Sequence, residues 1–257
     1  ADSGNPFANE NEDGTTYVSW NWKAGNANTA FSESGNNPGG THRANVDAGF
    51  SIVSYTGTGA AGTVAHGLGA APEIMIIKNR DATDSWAVYY GDNTNYFALD
   101  TTAAEADSDT YWNDTSPTAT VFTVNTAHNV NADGEKYIAY CWRSIDGFSK
   151  IGTYTGNGNA DGVFIYTGFR PAWVLMKRLN NGDQGTPIFD SVRNTSNVTN
   201  LRLKADATAA EINSDGNIDL LSNGFKARNT DGSINTNGGA YVYMAFAESS
   251  FKYSNAR

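Results

Sequence analysis

Residues 134–158, GEKYIAYCWRSIDGFSKIGTYTGNG, close one structural unit and open the next. The first half, Tyr137-Ile138-Ala139-Tyr140-Cys141-Trp142, recurs upstream as Tyr17-Val18-Ser19-Trp20-Asn21-Trp22 and downstream as Tyr241-Val242-Tyr243-Met244-Ala245-Phe246. The second half, Gly147-Phe148-Ser149-Lys150-Ile151-Gly152-Thr153-Tyr154-Thr155-Gly156, echoes Gly49-Phe50-Ser51-Ile52-Val53-Ser54-Tyr55-Thr56-Gly57. The chain therefore reads as a tandem repeat of roughly one hundred residues, and a repeat decides the architecture before any local signal does.

Working outward, short apolar runs alternate with Gly, Asn and Asp clusters. Glu73–Asn79 (EIMIIKN) is nearly continuously apolar and reads as a central core strand, matched in the second repeat by Trp173–Lys177 (WVLMK). Runs of this length between turn signals indicate sandwiches or jelly rolls, and no window offers several turns of amphipathic helix. The expected fold is all-β, with two tandem related β-sandwich (jelly-roll-like) units. We expect an arm or linker over 1–16, a first strand (Tyr17–Trp22) plus a long loop over 17–48, and sandwich repeats over 49–146 and 147–257. The Gly-Phe-Ser openers predict equivalent core positions for Phe50 and Phe148. The run at Tyr17 resembles a repeat's last strand with no repeat before it. We therefore expect it to borrow pairing from the later chain, or to descend from a longer array. The Asn- and Gly-rich segment Lys23–Asp47, with Asn36, Asn37, Pro38, Gly39 and Gly40 at its centre, is the expected interface, since structureless segments of that length are draped over something.

Composition narrows the function. Of 257 residues, 17% are charged, the net charge is −10 and aromatics make up 12%. An acidic chain without a basic stripe argues against nucleic-acid binding, and no apolar run has the length of a membrane span. The single cysteine, Cys141, excludes an intrachain disulfide and reads as a buried, inert thiol. Stability must then come from core burial, oligomerisation or both.

Chemistry-bearing motifs are sparse. His42, His66 and His128 are not spaced for a metal site with one another or with Cys141. No nucleophile elbow or phosphate-binding lysine loop occurs. The glycines of residues 57–62 match dinucleotide spacing, but no helix pattern follows them. Calcium is the one ion to weigh, at Asn157, Asn159 and Asp161, which resemble the first half of an oxygen-ligand loop; otherwise no metal or cofactor is expected. Glu73, Asp100, Asp190 and Glu248 are carboxylates that folding could pair for glycoside hydrolysis, though no motif supports them. Trp86, Tyr89, Tyr90, Tyr111 and Trp112 form the richest aromatic cluster. They are candidates for stacking on sugar rings or, more simply, for core or intersubunit packing.

Residues 17–25 (Tyr-Val-x-Trp-Asn-Trp-Lys-Ala-Gly), 49–59 (Gly-Phe-Ser-Ile-Val-x-Tyr-Thr-Gly-Thr-Gly) and 66–72 (His-Gly-Leu-Gly-x-x-Pro) together resemble an uncharacterised repeat domain of marine bacteriophage virion proteins. The stretches 161–178, 221–226 and 245–257 fit it too. The resemblance implies a non-enzymatic virion surface protein, tail fibre or tail-associated, that attaches to a host receptor, a cell-surface glycan or protein. It also implies a homo-oligomer, a trimer by analogy, in contact with other virion proteins. Capsid decoration and a polysaccharide-degrading tailspike are the alternatives. The family carries no catalytic residues over to this chain.

Overall fold

The computed structural model describes residues 13–248, with the side chains of 214–216 left aside. It is nearly all β, as the repeat pattern requires. The first half contains β1 (Thr29–Phe31), β2 (Gly40–Asn45), β3 (Phe50–Thr56), β4 (Gly62–Ala65), β5 (Ile74–Asn79), β6 (Ala87–Tyr89), β7 (Asn95–Ala98), β8 (Ala106–Asp107), the helical turn α1 (Asp109–Trp112), β9 (Val121–Val124), the turn α2 (His128–Asn131) and β10 (Lys136–Trp142). The second half contains β11 (Ser149–Thr155), β12 (Phe164–Tyr166), β13 (Pro171–Arg178), β14 (Pro187–Asp190), β15 (Thr199–Lys204), β16 (Ile212–Leu221), β17 (Gly224–Ala227) and β18 (Ala240–Ala247). Pairing is antiparallel throughout. One eight-stranded sheet runs β1-β2-β3-β10-β5-β6-β7-β8 and another runs β11-β18-β13-β14-β15-β16-β17-β12, while β4 and β9 form a separate pair. Among the described strands, none of residues 29–142 pairs with one of 149–247.

Side-chain packing joins the halves, together with a main-chain bond from Glu105 N to Leu179 O at 2.9 Å. Strand alternation sends Phe50, Ile74, Ile76, Val88 and Trp142 from the first sheet into one apolar cluster with Ile151, Trp173, Leu175, Val242, Met244 and Phe246 from the second. The opposite face of the first sheet (Val53, Tyr55, Met75, Ile77, Tyr137, Cys141) packs under Val64, Phe122 and Val124 of β4 and β9. The opposite face of the second sheet (Val174, Met176, Phe189, Tyr243) packs under Ile165, Ile218, Leu220 and Phe225, where that sheet curls over. This layering explains the near-continuous apolar runs. A strand covered on both faces has no polar side, and Ile74–Ile77 and Val174–Met176 are all buried. Cys141 is buried as expected, and burial pushes its thiol pKa up.

Three expectations are corrected. Tyr17–Trp22 is not a strand. Instead Trp22 inserts edge-on among Trp142 (6.2 Å), Trp173 (5.3 Å) and Phe246 (5.3 Å), and Trp20 meets Trp173 at 6.2 Å. Two indoles in a coil bury more area as a plug between the sheets than one more ladder would gain. The segment Lys23–Asp47 is not structureless. It supplies the β1–β2 hairpin that extends the first sheet beside β3, where edge strands do not need apolar alternation. Phe50 and Phe148 are not equivalent. Phe50 lies opposite Trp142, whereas one extra residue in the second repeat puts Ser149 opposite Phe246 and leaves Phe148 one step outside, half-buried.

A shared latch underlies the repeat. Tyr55 stacks on its cross-strand partner Tyr137 at 5.2 Å, and Tyr154 stacks on Tyr241 at 4.9 Å. Tyr55 and Tyr154 donate to the carbonyls of Val130 (2.6 Å) and Ile234 (2.7 Å). Tyr137 and Tyr241 donate to His128 O (2.7 Å) and Gly232 O (2.8 Å) and accept from Ala132 N and Thr236 N. Asn131 and Asn235 accept from Thr58 N and Asn157 N at 2.9 Å each. Each buried hydroxyl and amide is thereby satisfied while the loop before the closing strand is pinned.

Candidate functional site

The aromatic cluster weighed for stacking on sugar rings lies in the core, the simpler of the two readings. Tyr89, Tyr90, Tyr111 and Trp112 are all buried, and Trp86 is half-buried. Trp112 meets Tyr89 edge-on at 5.8 Å and donates its indole N–H to Asn95 O at 3.0 Å. Tyr111 stacks on Tyr96 at 3.5 Å, Tyr90 donates to the Glu105 carboxylate, and Trp86 stacks on Tyr140 at 6.4 Å. The physical reason is area: aromatic rings on strands bounded by a second layer gain more from burial than from exposure.

The hairpin tip serves its own half. Asn37 Oδ1 accepts from Thr63 N (2.8 Å) and Thr63 Oγ1 (3.1 Å), and Asn36 O accepts from Thr58 Oγ1 at 2.8 Å. Pro38 is buried and Gly40 opens β2. Gly39 is half-buried beside Glu33, whose backbone N would lie 2.7 Å from an added Cβ.

The three residues weighed as a cation loop are engaged in local hydrogen bonds and an ion pair. Asn157 Oδ1 accepts from Asn159 N (3.0 Å) and Asn235 Nδ2 (3.0 Å), and Asn159 Oδ1 accepts from Asp161 N (3.2 Å). Asp161 pairs with Lys226 Nζ at 2.6 Å and lies 3.6 Å from Arg228, and these cations hold its carboxyl below the usual range. The carboxylates considered for hydrolysis are likewise spoken for. Glu73 accepts from Ser144, Asp100 from Trp86 N, Asp190 from Arg193, and Glu248 lies 3.6 Å from Arg170. His66 is a satisfied core histidine: its Nδ1 accepts from Leu68 N (3.2 Å), which leaves Nε2–H for Thr118 O (3.2 Å).

Folding does assemble one titratable group that sequence spacing did not reveal. Asp84, His128 and Glu135 meet beside buried Asn79. His128 Nδ1 lies 2.7 Å from Asp84 and Nε2 3.3 Å from Glu135. Asn79 Nδ2 donates to both carboxylates and lies 3.3 Å from Tyr137 Oη. The bond to Asp84 and the two nearby carboxylates raise the His128 pKa. Burial works to raise Asp84, but the bonds from His128 and Asn79 outweigh it and leave the carboxyl low. One carboxylate per ring nitrogen is the geometry of an ion-paired imidazolium, which clamps α2 and β10 to the β5–β6 loop. Twofold repetition could have located it, since the second repeat has Gly232 and Gly239 where the first has His128 and Glu135.

Two open surface depressions adjoin one another. One of about 340 Å³ lies between Asn45, Asp47 and Ala48 on one side and Ile145–Phe148 on the other. The second, about 310 Å³, runs from Lys23–Asn26 to Ala44–Asp47. Residues 2–250 match the family described as a domain of unknown function, DUF7483. The chain belongs to that family. No curated protein and no solved structure matches the chain. The family's description names no activity, so function rests on what the surfaces and cores can do.

Proposed function

We propose that this protein is a non-catalytic structural component of a bacteriophage particle, tail-associated and in contact with the host surface, built from two related sandwich units and working as a homo-oligomer. The observation that supports it best is where the aromatic side chains go. Most of them fill three cores and plug the seam between the sheets, while Tyr17, Phe164 and Tyr166 stay exposed on an otherwise acidic, neutral-polar exterior. That is the makeup of a rigid scaffold part held without disulfides. The resemblance of residues 17–25, 49–59 and 66–72 to virion repeat domains points the same way.

Capsid decoration is the second reading. No observation favours a polysaccharide-degrading tailspike, because the candidate carboxylates are committed to local partners. The test is immunogold labelling of purified particles alongside mass spectrometry of their proteins. Label at the tail supports attachment and leads to host-cell and glycan binding assays. Label spread over the head replaces it with decoration, and absence from particles refutes both.

A further inference from the structure

We propose that strand β11 is an assembly edge that pairs antiparallel with the β11 strand of a second copy of this chain. Gly156 N donates to Gly239 O (2.8 Å) and Ala247 N to Phe148 O (2.8 Å), so the even-numbered residues of β11 face β18. The odd-numbered ones face outward. At the start of the strand that outer edge is closed: Ser149 bridges Ile145, and Ile151 N donates to Ser144 Oγ at 3.0 Å. Beyond it, the N–H and C=O groups of Thr153 and Thr155 have no partner among the described residues, and both threonines are exposed.

The first repeat says what such an edge takes. Tyr55 and Tyr154 hold the same place in the latch, so β3 is the counterpart of β11. The outward groups of β3 are paired by β2, with Thr56 N donating to Gly39 O at 3.2 Å. That strand reaches its place through the hairpin of residues 29–45, whereas residues 143–148 lead into β11 too directly to fold one. The covering strand, Gly-Thr-His-Arg-Ala-Asn, is polar, so main-chain bonding and not an apolar face is what fills this edge. A second β11 offers the same: Ser-Lys-Ile-Gly-Thr-Tyr-Thr, antiparallel in the place β2 takes on β3.

Centred on Tyr154, the pairing sets Thr153 opposite Thr155 of the second copy and the reverse. All the open N–H and C=O groups of the two threonines are then bonded, and their side chains form cross-strand Thr–Thr pairs. Lys150 falls opposite Gly158, so no like charges meet. The contact is isologous and closes after two copies, because each copy contributes its β11 edge once. It is independent of where the protein acts and differs from the threefold assembly expected of a tail fibre.

The full chain is measured by light scattering across a concentration series, with amide hydrogen exchange read at Thr153 and Thr155. A dimer with both amides protected is expected. Thr153→Pro removes an N–H that points away from β18, so it keeps the internal ladder while blocking strand addition. It is expected to be monomeric and still to melt cooperatively, with a melting temperature that no longer rises with protein concentration. Should that variant fail to fold, Thr153→Lys with Thr155→Lys places like charges opposite one another across the pair and is expected to abolish the dimer. A wild-type monomer, unprotected amides at these threonines, or an oligomer that survives a folded variant overturns the proposal. A trimer that survives both variants does so while leaving the virion reading intact.

Discussion

Trp173 sits where the sheets and the N-terminal plug meet, and truncating it tests whether that seam carries the fold. Its ring lies 5.3 Å from Trp22, 5.6 Å from Phe246 and 6.2 Å from Trp20, and the residue is 8% exposed. Deleting a buried Trp side chain costs about 3–5 kcal/mol through lost transfer energy and the cavity left behind. The indole N–H of Trp173 is buried without a partner, so its removal returns about 1 kcal/mol. We therefore expect Trp173→Ala to destabilise by about 2–4 kcal/mol, with Trp173→Phe at less than half of that because it keeps the ring contacts and drops the orphaned donor. In denaturant titrations the midpoint should fall with little change in slope, and a scan should show a loss of about 5–12 °C. A loss under about 1 kcal/mol with a single unshifted transition would refute a buried, load-sharing seam.

Three further outcomes follow from the structure. Lys177 is fully buried and donates to Thr101 O at 2.9 Å; burial lowers its pKa, only partly opposed by Asp206. Protonated Lys177 thus opposes folding below its folded pKa, a penalty that fades as pH rises toward the ordinary lysine range, and Lys177→Met should raise stability at neutral pH by on the order of 1 kcal/mol, measured by chemical denaturation. His128 has a raised pKa, so its pairing is fully present below the ordinary histidine value and lost as pH climbs through the folded one; Asp84, lowered, loses its share as pH falls through its own. Melting curves should show the trio's contribution between roughly pH 4 and 6.5, and His128→Gln should flatten the alkaline limb of that profile, an unchanged limb counting against the pairing. A Cβ at Gly57 would lie 2.1 Å from Ala132 O, and one at Gly156 2.3 Å from Thr236 O. Gly57→Ala and Gly156→Ala should therefore each cost more than about 1 kcal/mol and by similar amounts, and unequal losses would show that the two latches are not equivalent.

Strand positions were legible because local sequence carries them. Alternation, Gly and Asn turns and internal repetition located Phe50–Thr56, Ile74–Asn79, Val121–Val124, Lys136–Trp142 and their second-repeat counterparts. Burial on both faces was implicit in Ile74–Ile77, which has no polar side. The identity of the covering layer was not, since an apolar face specifies that it must be covered and not by what. The same limit explains the aromatic residues: a tyrosine on a strand reads alike whether it faces a ligand or the next sheet. Trp20 and Trp22 alternate like a strand, yet only the tertiary fold offered a seam between two sheets where they bury more as a plug. Asp84 lies 44 residues before His128 in the chain and meets it and Glu135 because β5 and β10 are neighbours in a ladder. Sequence by itself determined the repeat, the β class and the need for cores without disulfides. Tertiary structure alone decided which faces met, where the charges were paired and that the edge of β11 stayed open, because those depend on non-local pairing that no short window encodes.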